Sequence, residues 1–283
     1  MSKIIALDVG GSSIKSGIVT ATQQVLDIQQ TTVDSKGTAD HILSTLAGVV
    51  AHYLASTPDA KGVGIGFPSP FDYENGISLI EGVDKYEAIY GVDVRQAIRE
   101  HLDKPELIVR FRNDAESALI GEALFGAGQP YRRFIGLTLG TGMGSSFIAD
   151  GERITSINGV PDDGFLFPVK FRGEQADEWF STRGVLRRFA RANLPYERVA
   201  DAAKASETSV ATQAVWGNFG RDLAIFIQPF LTTFEADALL VAGGIANAMP
   251  YFGEALIAGV DVPVVRGSLG AHAALLGASA LIG

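Results

Sequence analysis

The sequence predicts an α/β protein built around a duplicated strand–turn–strand unit, and three observations predict it. Short apolar runs that end in Gly-rich turns alternate with segments whose apolar residues fall at helical spacing. Residues 5–19 (IALDVGGSSIKSGIV) lie without a gap over residues 135–149 (IGLTLGTGMGSSFIA), with Leu7 on Leu137, Val9 on Leu139 and Gly10 on Gly140. One such hairpin falls in each half of a 283-residue chain, a length that suits one large domain or two medium ones. Two buried hairpins can also look alike by chance, and that alternative stays open at this point.

The elements follow in chain order. Residues 3–7 form a buried strand that runs into Asp8-Val9-Gly10-Gly11, residues 14–20 a second and residues 24–32 a third. Ile42, Leu43, Leu46, Val49, Val50 and Leu54 repeat at helical spacing and predict a helix over 39–54. Residues 61–67 form a strand stopped by Pro68-Ser69-Pro70, which cannot continue a ladder. Residues 71–91 are polar, aromatic and irregular, and predict an elaborate loop. A short helix over 94–101 and a strand over 107–111 precede a helix over 115–125, with Asp114 at its N-terminus, where the dipole favours a carboxylate. Residues 134–139 and the run up to Ala149 form two strands around Gly140-Thr141-Gly142-Met143-Gly144. Residues 151–172 lack periodicity and predict a surface excursion, whereas 176–227 is mostly helical. A strand over 238–242 ends in Gly243-Gly244, a helix follows, and a strand over 262–265 leads to an Ala-rich closing helix over 270–281.

Composition narrows the function. Hydrophobic residues make up 47% and charged residues 19%, which suits a packed globular chain. Lys and Arg number 23 against 32 Asp and Glu, and a net charge of −9 disfavours nucleic-acid partners, whose affinity rests on phosphate neutralisation. With 0 Cys, disulfides, a thiolate nucleophile and a Cys-ligated zinc are excluded, and the 4 His are scattered. No apolar run has the length of a signal core or membrane span, so a cytoplasmic protein without a membrane partner is expected.

Four segments carry chemistry. Asp8, Gly10, Gly11 and Ser12 follow one strand and lead into another, so the segment is neither a Walker loop nor a Rossmann turn. It reads as a phosphate-facing turn with Asp8 steering a hydrated Mg²⁺, or as an ordinary hairpin turn. Gly140, Gly142 and Gly144 fall within five residues between two apolar strands, and a structural turn rarely needs three. Asn113 and Asp114 follow a buried strand directly, which makes Asp114 a candidate general base for a hydroxyl or a simple N-cap. Gly243, Gly244 and Asn247 join a strand to a helix, a geometry that can hold a nucleobase or ribose, although a plain strand-to-helix turn has the same residues.

These segments, in this order, resemble the ROK family (repressor, open reading frame, kinase), and the resemblance covers essentially the whole chain. Asp8 to Lys15 resembles the first phosphate motif, with Ser12 where Thr is usual, and Gly64 to Pro70 a Gly-x-Pro-Gly-Pro segment with Ser69 in place of Gly. Asn113-Asp114-Ala115 resembles the family's Asn-Asp-Ala, Leu139 to Gly144 its second phosphate motif, and Val241 to Ile245 its adenosine segment. The resemblance implies two actin-like (ribonuclease H-like) α/β domains, residues 1–112 plus 267–283 and residues 113–266, with a nucleotide cleft between them. It implies transfer of the γ-phosphoryl of ATP to a sugar or polyol hydroxyl, with Asp114 as base and Asn113 on a sugar hydroxyl. Asp8, Gly10, Gly11, Ser12, Lys15, Gly140, Thr141, Gly142, Gly144, Gly243, Gly244 and Asn247 would hold ATP and Mg²⁺. A homodimer is common in the family.

The departures matter. Family sugar kinases usually carry Ala-Gly-Glu-x-Gly-His and a Cys-rich zinc loop, whereas this chain reads Gly159-Val-Pro-Asp-Asp163-Gly-Phe-Leu-Phe-Pro168. The sugar-binding Glu and the His are absent, and no zinc site is expected. Asp177-Glu-Trp-Phe-Ser181 resembles Glu-x-Tyr-x-Ser, so Asp177 is a candidate acceptor contact, as is Glu81 in the 81–90 loop. The first motif begins at Asp8, so no N-terminal winged helix-turn-helix is expected. The alternatives are a polyphosphate-dependent glucokinase, against which the net charge of −9 argues and for which the sequence does not say whether Arg132, Arg133, Arg183, Arg187 and Arg188 form a basic track, and a non-catalytic ligand sensor.

Overall fold

A computed structural model describes residues 2–157 and 159–283. Its tertiary contacts divide the chain into two compact units, Met1–Gly121 with Ala271–Gly283, and Glu122–Gly270.

In the first unit, β1 (Lys3–Val9), β2 (Ser13–Thr20) and β3 (Val25–Thr32) form an antiparallel meander, followed by α1 (Ala39–Ser56) and β4 (Val63–Phe67). The two-residue strands β5 (Phe71–Asp72) and β6 (Ile77–Ser78), a 3₁₀ turn at Glu87–Ile89 and α2 (Val94–Leu102) lead to β7 (Val109–Asn113) and α3 (Asp114–Phe125). The sheet order is β3-β2-β1-β4-β7, with β1, β4 and β7 parallel. Thr38 caps α1, accepting from the His41 N–H, and α1 buries Ile42, Leu46, Val50 and Tyr53 against the sheet.

In the second unit, β8 (Arg133–Leu139), β9 (Met143–Ala149) and β10 (Glu152–Ile154) repeat the meander. A 3₁₀ turn at Asp162–Gly164, the hairpin β11 (Lys170–Phe171) and β12 (Glu174–Gln175), and helices α4 (Asp177–Phe180), α5 (Thr182–Arg191), α6 (Val199–Ala205) and α7 (Val210–Phe234) follow. Then come β13 (Ala238–Ala242), a 3₁₀ turn (Gly244–Ala248), α8 (Met249–Ile257) and β14 (Val264–Arg266), and α9 (Ala273–Ser279) returns to the first unit. The sheet order is β10-β9-β8-β13-β14, strand for strand the order of the first sheet. Its core is aromatic, with Phe180, Phe189, Trp216, Phe219 and Phe252 buried together.

The duplication read from the sequence is therefore architectural, with one adjustment. Val9 pairs with Ile14 around residues 10–13, whereas Leu139 pairs with Met143 around residues 140–142. The second turn is one residue shorter, so the counterpart of Lys15 is Gly144 and not the residue that a gapless overlay assigns.

Two further differences have local causes. The mostly helical stretch is four helices, of which α5 and α7 are capped by Ser181 and Ser209. Helix α7 runs through Pro229 to Phe234, because the carbonyl that loses its partner belongs to Ile225, 59% exposed, where water can satisfy it. The division between units falls inside α3, so Asn113 and Asp114 belong with the first unit, not with the segment 113–266. The reason is close packing of the start of α3 on α9. Ser117 Oγ donates to the Ala274 carbonyl at 2.9 Å, and a Cβ on Gly277 would stand 1.7 Å from the Ser117 carbonyl oxygen.

Candidate active site

In the first unit, the β1–β2 hairpin puts Asp8 and Lys15 opposite each other in register, at the end where the chain turns through Gly10, Gly11 and Ser12. The turn is tied down from outside. The Tyr86 hydroxyl donates to the Gly10 carbonyl at 2.6 Å, the Ser35 hydroxyl donates to the Gly11 carbonyl, and the Val33 N–H donates to the Ser12 carbonyl at 3.1 Å. Their carbonyls are thus occupied, and Gly11 and Ser12 remain exposed.

Asn113 closes β7 and caps α3: its Oδ1 accepts from the Glu116 N–H at 3.1 Å. Its Nδ2 donates to the Tyr73 hydroxyl at 3.3 Å, which itself donates to the Phe67 carbonyl at 3.1 Å. Because Asn113 supplies the cap, Asp114 is left at the first helical position, where it accepts from the Ala115 N–H at 2.8 Å and from the Asn113 side chain. Burial pushes the Asp114 pKa up, and Lys85 partly offsets the rise. Asp8 is pushed up to about 6, first by burial and then by the negative charge of Asp114, with Lys15 opposing.

Two such carboxylates, under-neutralised and partly buried, suit a divalent cation. No cluster of three or more His, Asp or Glu that could hold a metal occurs among the described residues.

In the second unit, the Gly140–Gly144 turn is braced by α4 and α5. The Thr182 N–H donates to the Gly140 carbonyl at 2.7 Å, and Asp177 Oδ1 accepts from the Met143 N–H at 2.7 Å. Arg183 pairs with the other Asp177 oxygen at 3.0 Å. A Cβ on Gly140 would meet nothing within 4 Å, and neither Gly140 nor Gly142 has a positive φ. The fold does not itself demand glycine there, so the bare backbone is available for a ligand. Gly243 differs: it has φ 88°, and a Cβ would come within 2.4 Å of the Leu139 carbonyl oxygen. Gly244 and Asn247 are exposed, and Asn247 Oδ1 accepts from Arg266.

The remaining expected residues fall as follows. Thr141 is exposed, and Gly144 is partly buried opposite Thr138. Glu81 lies exposed at the head of its loop. The 151–172 segment, in which Asn158 lies outside the described residues, is pinned to β9 by Ser145: its hydroxyl donates to the Gly164 carbonyl and accepts from the Leu166 N–H, both at 2.8 Å. The five arginines of the would-be basic track are all engaged. Arg132 pairs with Asp150, Arg183 with Asp177 and Glu178, Arg187 with Glu174, and Arg188 with Asp222, while Arg133 donates to the Phe234 carbonyl. Lys85 and Tyr86 lie in the 81–90 loop expected to meet the acceptor, but they and Ser35 instead meet the first turn, a tertiary contact of irregular segments that no local pattern in the sequence signals.

Comparison with known proteins adds the following. A family model described as the ROK family matches residues 4–283. A glucokinase of Thermotoga maritima is 26% identical over 272 residues, covering 87% of this chain and 83% of that protein. A xylose repressor of Bacillus subtilis is 21% identical over 302 residues, covering 98% of this chain and 76% of the repressor. Among solved structures, a ROK family glucokinase from Streptomyces griseus, in complex with glucose and AMPPNP, superposes with a TM-score of 0.78 at 21% identity, covering 99% of both chains. Among the described residues, no helix is long and apolar enough to cross a membrane.

Proposed function

The chain belongs to the ROK family and has its actin-like two-domain α/β fold, and from that premise we propose that it is an ATP-dependent kinase acting on a hydroxyl of a sugar or sugar-like polyol. The observation that carries the reading is the pair Asn113–Asp114. Asn113 does the capping, so the Asp114 carboxylate is free to act on a hydroxyl, with its pKa raised toward the range useful to a base. The glucokinase relatives support the reaction class.

The residues divide the work. Asp114 takes the proton of the attacking hydroxyl. Asn113, held by Tyr73 and by Asp114, puts its amide beside the base, where it can orient that hydroxyl. The Gly10–Ser12 turn with Lys15, and the Gly140–Gly144 turn, offer backbone N–H groups to phosphate, and Gly243, Gly244 and Asn247 take the adenosine. Asp8 would hold Mg²⁺ through the ion's waters, and the ion, when bound, would supply charge neutralisation on the phosphates. Asp177 acts on this arrangement by bracing the second turn, and Glu81 remains the candidate acceptor contact of its loop.

A coupled ADP-release assay with Mg-ATP against hexoses, N-acetylhexosamines, ketoses and polyols tests the proposal; turnover with one acceptor supports it. The altered 159–168 segment favours a second reading, a ligand sensor without turnover. Silence across the panel, together with measurable sugar binding by calorimetry, would replace the kinase reading with that one.

A further inference from the structure

The loop over residues 81–90 carries a cation that none of the motifs accounts for. Lys85 lies between Asp84 and Tyr86, both left-handed at φ 57°. Non-glycine residues rarely adopt that region without support, so the surrounding structure must hold them there. It does so on both sides. Asp84 pairs with Lys36, and the Tyr86 N–H donates to the Ser35 carbonyl. Tyr86 is fully buried, and its hydroxyl reaches the Gly10 carbonyl.

These anchors lay the Lys85 stem over the first turn, its Cδ 3.8 Å from where a Gly11 Cβ would stand. Lys85 is only partly exposed and acts electrostatically on Asp114. Its ammonium has no hydrogen bond or ion pair among the described residues. The neighbouring Lys36, by contrast, is paired. A half-buried, unpaired ammonium held over a glycine turn in a chain of net charge −9 is placed for an anionic ligand.

We propose that Lys85 is a catalytic residue that contacts the transferred phosphoryl group above the Gly10–Gly11 turn, beside Asp114. The inference rests on the kinase reading and deepens it. The acceptor oxygen forms a bond to the γ-phosphorus, and its proton passes to Asp114. The bond from that phosphorus to the β–γ bridging oxygen breaks, and ADP leaves with the electron pair. Lys85 exchanges no proton: it balances charge on the γ-oxygens throughout.

The test compares Mg-AMPPNP with Mg-ADP by calorimetry on the full chain, for wild type, Lys85→Met, Lys85→Gln and Lys85→Arg, with melting temperatures confirming folding. Removing a charged contact to the γ-group should weaken AMPPNP by about tenfold or more in the Met and Gln variants and leave ADP within about twofold, with Arg retaining most of the difference. Wild-type discrimination in both neutral variants, or equal loss for the two nucleotides, overturns the role of Lys85 and leaves the kinase reading standing. A wild-type chain that binds neither nucleotide and turns over no acceptor overturns both.

Discussion

Asp8 and Lys15 stand opposite each other across the first hairpin, yet Lys15 does not outweigh what raises the Asp8 pKa. Burial and the negative charge of Asp114 leave the Asp8 carboxyl near 6. A carboxyl that binds its proton more tightly when folded makes the folded state lose stability as pH rises from the unfolded value, 3.8, through about 6. Wild type minus Asp8→Asn reads this group together with its coupling to Asp114 and cancels the carboxylates that do not interact with it. In the absence of a divalent cation, Asp8→Asn should be the more stable protein at pH 7 to 8, by on the order of 2 kcal/mol, and the gap should close toward pH 4. Thermal melts across that range measure it, and a gap independent of pH would contradict the assignment.

The glycines divide by what the fold requires of them. A Cβ on Gly277 would stand 1.7 Å from the Ser117 carbonyl oxygen, so Gly277→Ala should destabilise severely, by about 3 kcal/mol or more. A Cβ on Gly140 meets nothing within 4 Å, so Gly140→Ala should melt within a few degrees of wild type yet bind Mg-ATP at least about tenfold more weakly. Melting curves and calorimetry on the two variants decide it. Unchanged nucleotide affinity in Gly140→Ala would remove the second turn from the nucleotide site.

Asp177 holds the Met143 N–H and Arg183 together. Asp177→Ala should loosen the second turn and raise the ATP dissociation constant by about tenfold, with a stability loss of about 1–3 kcal/mol. If the variant instead binds ATP normally and only the acceptor KM rises, Asp177 touches the acceptor and does not act through the turn.

The arginines at 132, 133, 183, 187 and 188 already have partners, which leaves no free cationic track along them for a polyanion. Phosphorylated product measured directly should accumulate faster with Mg-ATP than with polyphosphate at equal phosphate concentration. The reverse order would make polyphosphate the donor.

Much of this was legible in the sequence because it rests on local chemistry. Strand runs ending in glycine turns announce both sheets, and the echo of residues 5–19 in 135–149 announces their common order. Asn113 and Asp114 could be placed at the start of a helix, but not which of the two would cap it; that choice depends on Tyr73 holding the Asn113 amide. The four helices between 177 and 234 blur into one mostly helical stretch, although Ser181 and Ser209 mark two of the breaks. Lys85 was invisible for a different reason. It meets Gly11 only through the tertiary anchor of Tyr86 on Gly10, across a separation in sequence that no periodicity reports.

The central claim is that Asp114 is the base of a phosphoryl transfer, and Asp114→Asn tests it most directly. The amide keeps the size of the side chain and cannot take the proton. The account predicts that the variant binds Mg-ATP as wild type does and, with the acceptor found for wild type, loses turnover by at least about a hundredfold. Turnover within a few-fold of wild type would show that another group takes the proton, and would contradict the account.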